Sequence, residues 1–502
     1  MNFLVPILFL SSIFGGDTNK ESQIRSFDDL KSTVVEIAAM PYKDHRRELP
    51  KWLKELTYDD LRKIRFNPKK AVWRSERLPF QLQFFHPGGN QIDQIKMHLI
   101  EKNGNEHVPF SQDLFEYEEG VIRGTLDGEL SFSGFRLHYP LNRPDYLDEL
   151  LVFQGATYYR ALAEGLNYGI SSRIIMIDPE KGEDEEFPSF TDFWVYMPER
   201  EATSIHLMGL FDSPSLAGAA DFTVRPGIST YIDVKVFICS RKKSPIHYGI
   251  APLKSMYWYG ENSSWKWGDF RPEVHDSDGL LIHTSADQWI WRPLTNEGKM
   301  KKSFFVDDSP KGFGLLQRDR NFSSYRDLEA KYHMRPSVWI EPRDNWGQGY
   351  ISLIEAPSTS EYNDNISAVW FPKQALEPGK SAEFSYRQIW FMDNKNLPPI
   401  GKVCSTYAYQ PAGSPAELKK FIIEFYWPNV QADATSNTLD IHATAENAKI
   451  MNKHADYNFY ENFYRVFFDA EVQDKSKPVE LNVDICKEGK PITETWTYQW
   501  TP

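Results

Sequence analysis

The sequence predicts an all-β protein: a large N-terminal β-sandwich with a few peripheral helices, followed by a smaller C-terminal β-sandwich of immunoglobulin type. Three observations carry this expectation. Apolar and polar residues alternate with period two in segment after segment, as half-buried strands require. Glycine and proline in "HPGG", "VRPG" and "LEPGK" punctuate that alternation with turns. Helix-start signatures are few and lie mostly early in the chain.

In chain order, residues 1–16, "MNFLVPILFLSSIFGG", form a short apolar run ending in small residues before the polar "DTNKESQ". The run is short for a bilayer span and reads as a secretory signal cleaved near Gly15 or Gly16, although no Lys or Arg precedes it. "SFDDLKSTVVEIAAM" then predicts a helix, with Ser26 as N-cap and Asp29 three residues on. "TYDDLRKI" repeats the device with Thr57 and Asp60, and "SYRDLEAKYH" repeats it with Ser324 and Asp327. "FQLQF" (80–84), "YIDVKVFI" (231–238) and "YISLIE" (350–355) read as strands.

Polar residues and a Pro-Pro pair in "DNKNLPPIGK" interrupt the pattern at residues 393–402 and set a domain boundary. Residues 24–395 are therefore assigned to the large sandwich and residues 396–502 to the small one. The short alternating stretches "FIIEFYW" and "ETWTYQW" of the latter suit an immunoglobulin-type sandwich.

Composition narrows the function. A net charge of −13 excludes a nucleic-acid partner, because phosphate backbones need clustered Lys and Arg. No phosphate-binding loop, dinucleotide fingerprint, H-E-x-x-H pair or G-x-S-x-G elbow occurs, so neither a cofactor nor a metal is expected. The three cysteines, Cys239, Cys404 and Cys486, have no metal-ligand spacing, and Cys404–Cys486 is the one bridge worth considering. Aromatic residues stand out at 15% of the chain. Trp265 and Trp267 lie among Gly, Asn and Ser, which is loop chemistry, and a loop tryptophan offers a face on which a sugar ring can stack.

Carboxylates accompany these aromatics. "RPEVHDSDG" (271–279) places Asp276 and Asp278 two apart, beside His275. Calcium-loop spacing fails there, since Gly279 falls at the fourth position and no Glu closes the loop. A polar turn and half of a catalytic pair both remain open readings. A second acidic loop, "EAPSTSEYNDNISAVWF", carries Glu361 and Asp364, and "KYHMRPSVW" brings Tyr332 and Arg335.

Long blocks carry a family resemblance: "PFQLQFFHPGG", "GATYYRALAEGLNYGISSR", "LFDSPSLAGAADF", "FRPEVHDSDGLLIH", "GFGLLQRDRNFSSYRDLEAKYHMRPSVW" and "NDNISAVW". Through them the chain resembles the periplasmic glucan biosynthesis G/D (MdoG-like) family of proteobacteria, and more its G branch, since no twin-arginine pair is present. The resemblance implies a galactose mutarotase-like sandwich, a periplasmic location and work on osmoregulated glucans with a β-1,2-linked backbone. It implies an inverting endo-β-1,2-glucanase, with Asp364 as general acid and Asp276 as the carboxylate on the water side. Glu361, Tyr332 and Arg335 then fall in the sugar cleft, and Asp278 becomes a turn residue. The competing expectation is a non-catalytic glucan-binding scaffold that assists a membrane glucan synthase or a branching enzyme.

Overall fold

A computed structural model describes residues 24–46, 48–102, 104–126, 130–177, 185–263, 268–394, 397–435 and 438–502. The signal expected at residues 1–16, Trp265 and Trp267 lie outside these described residues. No helix among the described residues is long and apolar enough to cross a membrane.

Two large sheets dominate. The first runs from Gln81–Phe85 through Gly134–Arg143, Tyr146–Gln154, Tyr158–Ala161, Ser171–Arg173, Tyr248–Ser255, Ile366–Pro372 and Gln348–Glu355 to Lys301–Asp308. The second contains, in spatial order, Trp289–Pro293, Gly279–His283, Gly312–Leu316, Ser337–Pro342, Ser381–Phe391, Thr230–Ser240, Leu216–Arg225 and Ile205–Asp212, then continues to Gly104–Val108. Leu82, Phe135, Leu253 and Ala368 of the first sheet share one core with Phe193, Phe222, Val234 and Ile340 of the second. Phe153 meets Phe193 and Phe222 across the layers at centroid distances of 4.9 and 5.2 Å. Each such side chain, fully buried, contributes about 1.5–3 kcal/mol. The strand expected over 231–238 lies within Thr230–Ser240 and alternates in burial, whereas Gln81–Phe85 is buried on both faces, being covered inside and out.

Period two explains how the C-terminal segment attaches. Leu280 and Ile282 point into the sandwich core, so Leu281 between them points out of it. Leu316, Trp339, Ile389 and Phe391 do the same on neighbouring strands, and Trp291 joins them. This outer apolar face packs with Phe421, Ile423, Val466, Phe468, Val483 and Trp496 into a second core. One C-terminal sheet consists of Lys402–Tyr409, Leu418–Tyr426, Phe463–Val472 and Ala448–Asn458. The other, Leu439–Glu446, Val479–Lys487 and Thr495–Trp500, is hydrogen-bonded to the large second sheet through parallel pairing of Trp291 with Trp496. Arg318 reinforces the junction: it lies 3.5 Å from the Trp291 ring centroid and pairs with the buried carboxylate of Glu494.

Two helix expectations hold. Phe27–Ala38 begins at a capping box of Ser26 and Asp29 and buries Leu30, Val34 and Ala38 against the outer face of the second sheet. Tyr58–Leu61 begins at the equivalent box of Thr57 and Asp60. The third expectation is corrected. The helix spans Phe322–Tyr325, and Arg326 ends it in the left-handed region at φ 54°. Asp327 is committed elsewhere: its carboxylate accepts from the amides of Glu329 (2.8 Å) and Ala330 (2.7 Å) and from Arg271 (2.8 Å). The considered Cys404–Cys486 bridge is corrected too, because all three cysteines are free thiols. Cys404 and Cys486 lie on strands of the two different C-terminal sheets.

Candidate functional site

The two acidic loops are tied together through the side chain of Asn365. The Asn365 side chain accepts from the Tyr257 amide at 2.9 Å and donates to the Tyr257 and Ala356 carbonyls at 3.0 and 2.8 Å. Acting as a substitute strand partner, it pins its loop to the strand Tyr257–Tyr259, which pairs with Val274–His275. Asp364 therefore projects from a fixed point, and Asp276 follows directly on the paired strand, its amide bonded to Met256 O at 2.8 Å.

The two carboxylates occupy opposite environments. Asp276 is 6% exposed, and its Oδ1 has no hydrogen-bond partner; the nearest cation is Arg335, 3.5 Å away. Burial pushes Asp276 above the ordinary carboxylate range, with the charge of Asp364 adding to it, against the pull of Arg335 and Arg160. Asp364 is exposed, with Arg160 at 3.6 Å. Arg173, bonded to Glu185 at 2.6 Å, and Lys254 also act electrostatically on the Asp364 side of the site. Burial, then repulsion from Arg173, holds the Lys254 ammonium below the usual lysine range.

Arg335 owes its place to a glycine and two carbonyls. It donates to Tyr168 O and, at 3.2 Å, to Ala330 O, and its guanidinium lies 5.0 Å from the Tyr332 ring centroid. A Cβ on Gly169 would stand 3.1 Å from the Arg335 side chain, so a larger residue there would push the arginine away.

Glu361 does not sit beside Asp364 as a free like charge. Arg271 grips it with bonds of 2.9 and 3.1 Å, and the Tyr332 hydroxyl donates to it. Burial raises the Glu361 pKa, but these partners outweigh burial and hold it below the usual range. Arg271 is also bound by Asp327 at 2.8 Å and Asp269 at 2.7 Å, so one guanidinium ties three loops together.

Asp278 is more than a residue shaping its own turn. Its carboxylate accepts from the amides of Arg318 and Asp319 and stands 3.5 Å from His275, which also contacts Glu273 and Gln317 at 2.9 Å each. Burial lowers the His275 pKa, but Asp278 and Glu273 carry it up to about 9. Burial and the same two carboxylates push Asp319 up to about 8. Glu273, His275 and Asp278 bring their ligand atoms within 4.8 Å of one another, yet Glu273 and Gln317 already bond both imidazole nitrogens without an ion.

Of the residues singled out in the sequence, the structure thus gathers Asp276, Asp364, Glu361, Tyr332 and Arg335 in one region. Sequence reasoning missed Arg160, Arg173, Lys254, Arg271, the bond of Asp327 to Arg271 and the anchoring role of Asn365. Arg160 and Arg173 fall within a block that carries the family resemblance, but only the strand pairing brings them to the acidic loops.

A family model described as "Periplasmic glucan biosynthesis protein, MdoG" matches residues 26–500. The chain is 38% identical over 496 residues to glucans biosynthesis protein G of Shewanella frigidimarina, covering 96% of this chain and 87% of that protein. It is 39% identical over 512 residues to the protein of the same name from Shewanella baltica strain OS195, covering 99% and 92%. Glucans biosynthesis protein G 1 of Shewanella oneidensis is 38% identical over 480 residues, covering 94% and 86%.

Proposed function

We propose, from the premise that this chain belongs to the MdoG family of periplasmic glucan biosynthesis proteins and serves glucan biosynthesis, that it works in the periplasm as an inverting endo-β-1,2-glucanase. One observation supports the hydrolytic reading above all: Asp276 presents a buried, unpartnered carboxylate oxygen within electrostatic reach of a second carboxylate, Asp364. A buried carboxylate left without donors costs stability, so it persists where it has a task.

In this mechanism Asp364 gives its proton to the leaving glycosidic oxygen as that C–O bond breaks. Water attacks the anomeric carbon from the opposite face, and its proton passes to Asp276. Arg335 holds Asp276 ready as the anion. Arg160 is the group the entering chain must displace, because a general acid has to carry its proton when the bond breaks. Glu361, fixed by Arg271 and Tyr332, orients the sugar beside the pair. Trp265 and Trp267 supply stacking faces on the sequence argument alone.

The scaffold reading draws on the exposure of Asp364 and its contact with Arg160. Incubation with linear β-1,2-glucan separates the two. Hydrolysis releases new reducing ends that depend on Asp364. A scaffold binds the polymer, releases none and is indifferent to Asp364→Asn.

A further inference from the structure

A cavity of about 670 Å³ lies where the sandwich meets the C-terminal segment, and the mechanism above makes no use of it. Trp258 and Glu297 line it from one side, and Tyr409, Lys419, Tyr498 and Trp500 from the other. Its aromatic residues follow from strand geometry. In Thr495–Trp500, residues 496, 498 and 500 share a face; Trp496 stacks on Tyr498 at 5.5 Å within the core, and Tyr498 and Trp500 carry that face out to the cavity.

The polar groups of the lining divide into spent and unspent. Asn262 accepts from the Tyr257 hydroxyl at 2.6 Å and donates to Leu294 O at 2.8 Å. Asn296 donates to the carbonyls of Trp258 and Ser358 at 3.0 and 2.7 Å. Tyr498 and Trp500, 2% and 5% exposed, differ: among the described residues neither the phenol nor the indole N–H has a hydrogen-bond partner. Neither polar atom is itself buried, so both are open to whatever fills the cavity. Tyr409 adds a ring that is 42% exposed.

Charge narrows the class of ligand. Glu297 and Lys419 face each other across the two segments at 4.0 Å, and Lys419 lies 4.5 Å from the Trp500 ring centroid. In this pair one anion is set against one cation. Rings, unspent donors and a balanced charge together suit a neutral oligosaccharide.

We infer that this cavity is a second carbohydrate site, which holds a stretch of neutral glucan against both the sandwich and the C-terminal segment. The inference rests on the reading that the protein handles a glucan chain. The cavity wall also belongs to the catalytic framework, since Asn296 ties Trp258 to Ser358 in the loop that leads to Glu361 and Asp364.

Calorimetric titration with a long linear β-1,2-glucan and with the β-1,2-linked trisaccharide tests it. The Tyr409→Ala/Glu297→Gln protein should bind the long chain about tenfold more weakly, from the loss of one stacking ring and one polar partner. Its trisaccharide affinity, melting temperature and rate at saturating glucan should stay unchanged. Trp500→Phe keeps a ring in the core but removes the N–H, and it should weaken long-chain binding in the same way. Undiminished long-chain affinity in both variants overturns the inference, as does a wild-type protein that binds no glucan. Tyr409-dependent binding without release of reducing ends leaves this site standing and removes only the hydrolase reading. Asp364-dependent hydrolysis with long-chain binding insensitive to Tyr409 and Trp500 does the reverse.

Discussion

Asp276 and Asp364 are a buried and an exposed carboxylate that each stand beside an arginine, Asp276 with Arg335 at 3.5 Å and Asp364 with Arg160 at 3.6 Å. Their charges are felt mutually, and burial together with Asp364 lifts Asp276 above the ordinary range. One carboxylate closed off from solvent and one open to it can take the two roles that glycosidic cleavage requires.

Replacing either acid should separate activity from binding. Asp364→Asn and Asp276→Asn should each lower turnover on β-1,2-glucan by about 10²–10⁴, with glucan affinity nearly intact. The Asp276 variant should also melt at a higher temperature near neutral pH. A carboxyl whose folded pKa is raised contributes stability below its unfolded pKa and loses it as pH rises through the folded one. Asparagine removes that loss. Undiminished turnover in either variant would end the proposed mechanism, and a lowered melting point for Asp276→Asn would end the account of its burial.

Arg335 should set the acidic limb of the pH–rate profile. Asp276 must be ionised to take a proton from water, and Arg335 is the largest influence favouring its anion. Arg335→Gln removes the charge and keeps a polar side chain with one amide donor. The limb should move to higher pH, so the variant loses most activity in mild acid and least near neutrality. An unmoved limb in kcat/KM would show that Asp276 is not the group titrating there.

The loop anchor makes a third case. Asn365→Ala leaves the Tyr257 amide and two carbonyls without partners and should cost about 1–3 kcal/mol of stability. Because it frees the loop that carries Asp364, turnover should fall about 10²-fold, as expected for a displacement of the order of an ångström. Asn365→Asp, which keeps the acceptor for the Tyr257 amide, should recover part of the rate. Equal activity in all three proteins would mean the loop holds its place without this side chain.

Some of this was legible in the residues and some was not. Ser26 with Asp29 and Thr57 with Asp60 mark helix starts because capping is local, involving partners three residues apart. The same pattern misled at Ser324 and Asp327, where Arg271, 56 residues away, competes for the aspartate. Asp276 and Asp364 were reached through the family resemblance, and their loops carry recognisable blocks. Their cations were not, because Arg160, Arg173 and Lys254 meet only through pairing of Tyr158 with Arg173, Ser171 with Lys254 and Lys254 with Ser367. Period-two alternation located strands but not the second use of their outer faces, which Leu281, Leu316 and Trp339 make by seating the C-terminal core.

His275 is wholly buried between Glu273 and Asp278, and its pKa stands at about 9, against 6.5 for the free side chain. A raised histidine pKa stabilises fully below the unfolded value and loses that contribution as pH climbs through the folded one. Asp319, pushed up to about 8, has the same sign: it too holds a proton in the fold that the unfolded chain releases at lower pH. Thermal stability should therefore fall as pH rises from about 6.5 to 9, the interval set by the His275 shift. His275→Ala leaves Glu273 and Asp278 facing each other without a cation, and should cost about 3–5 kcal/mol at neutral pH. The variant should also lose the His275 part of the decline in melting temperature across that interval, most visibly between about pH 8 and 9, and keep the part that Asp319 contributes up to about 8. Melting curves of both proteins at matched ionic strength decide it: a wild-type melting temperature that is flat or rising from neutrality to pH 9 contradicts the charged state assigned to His275.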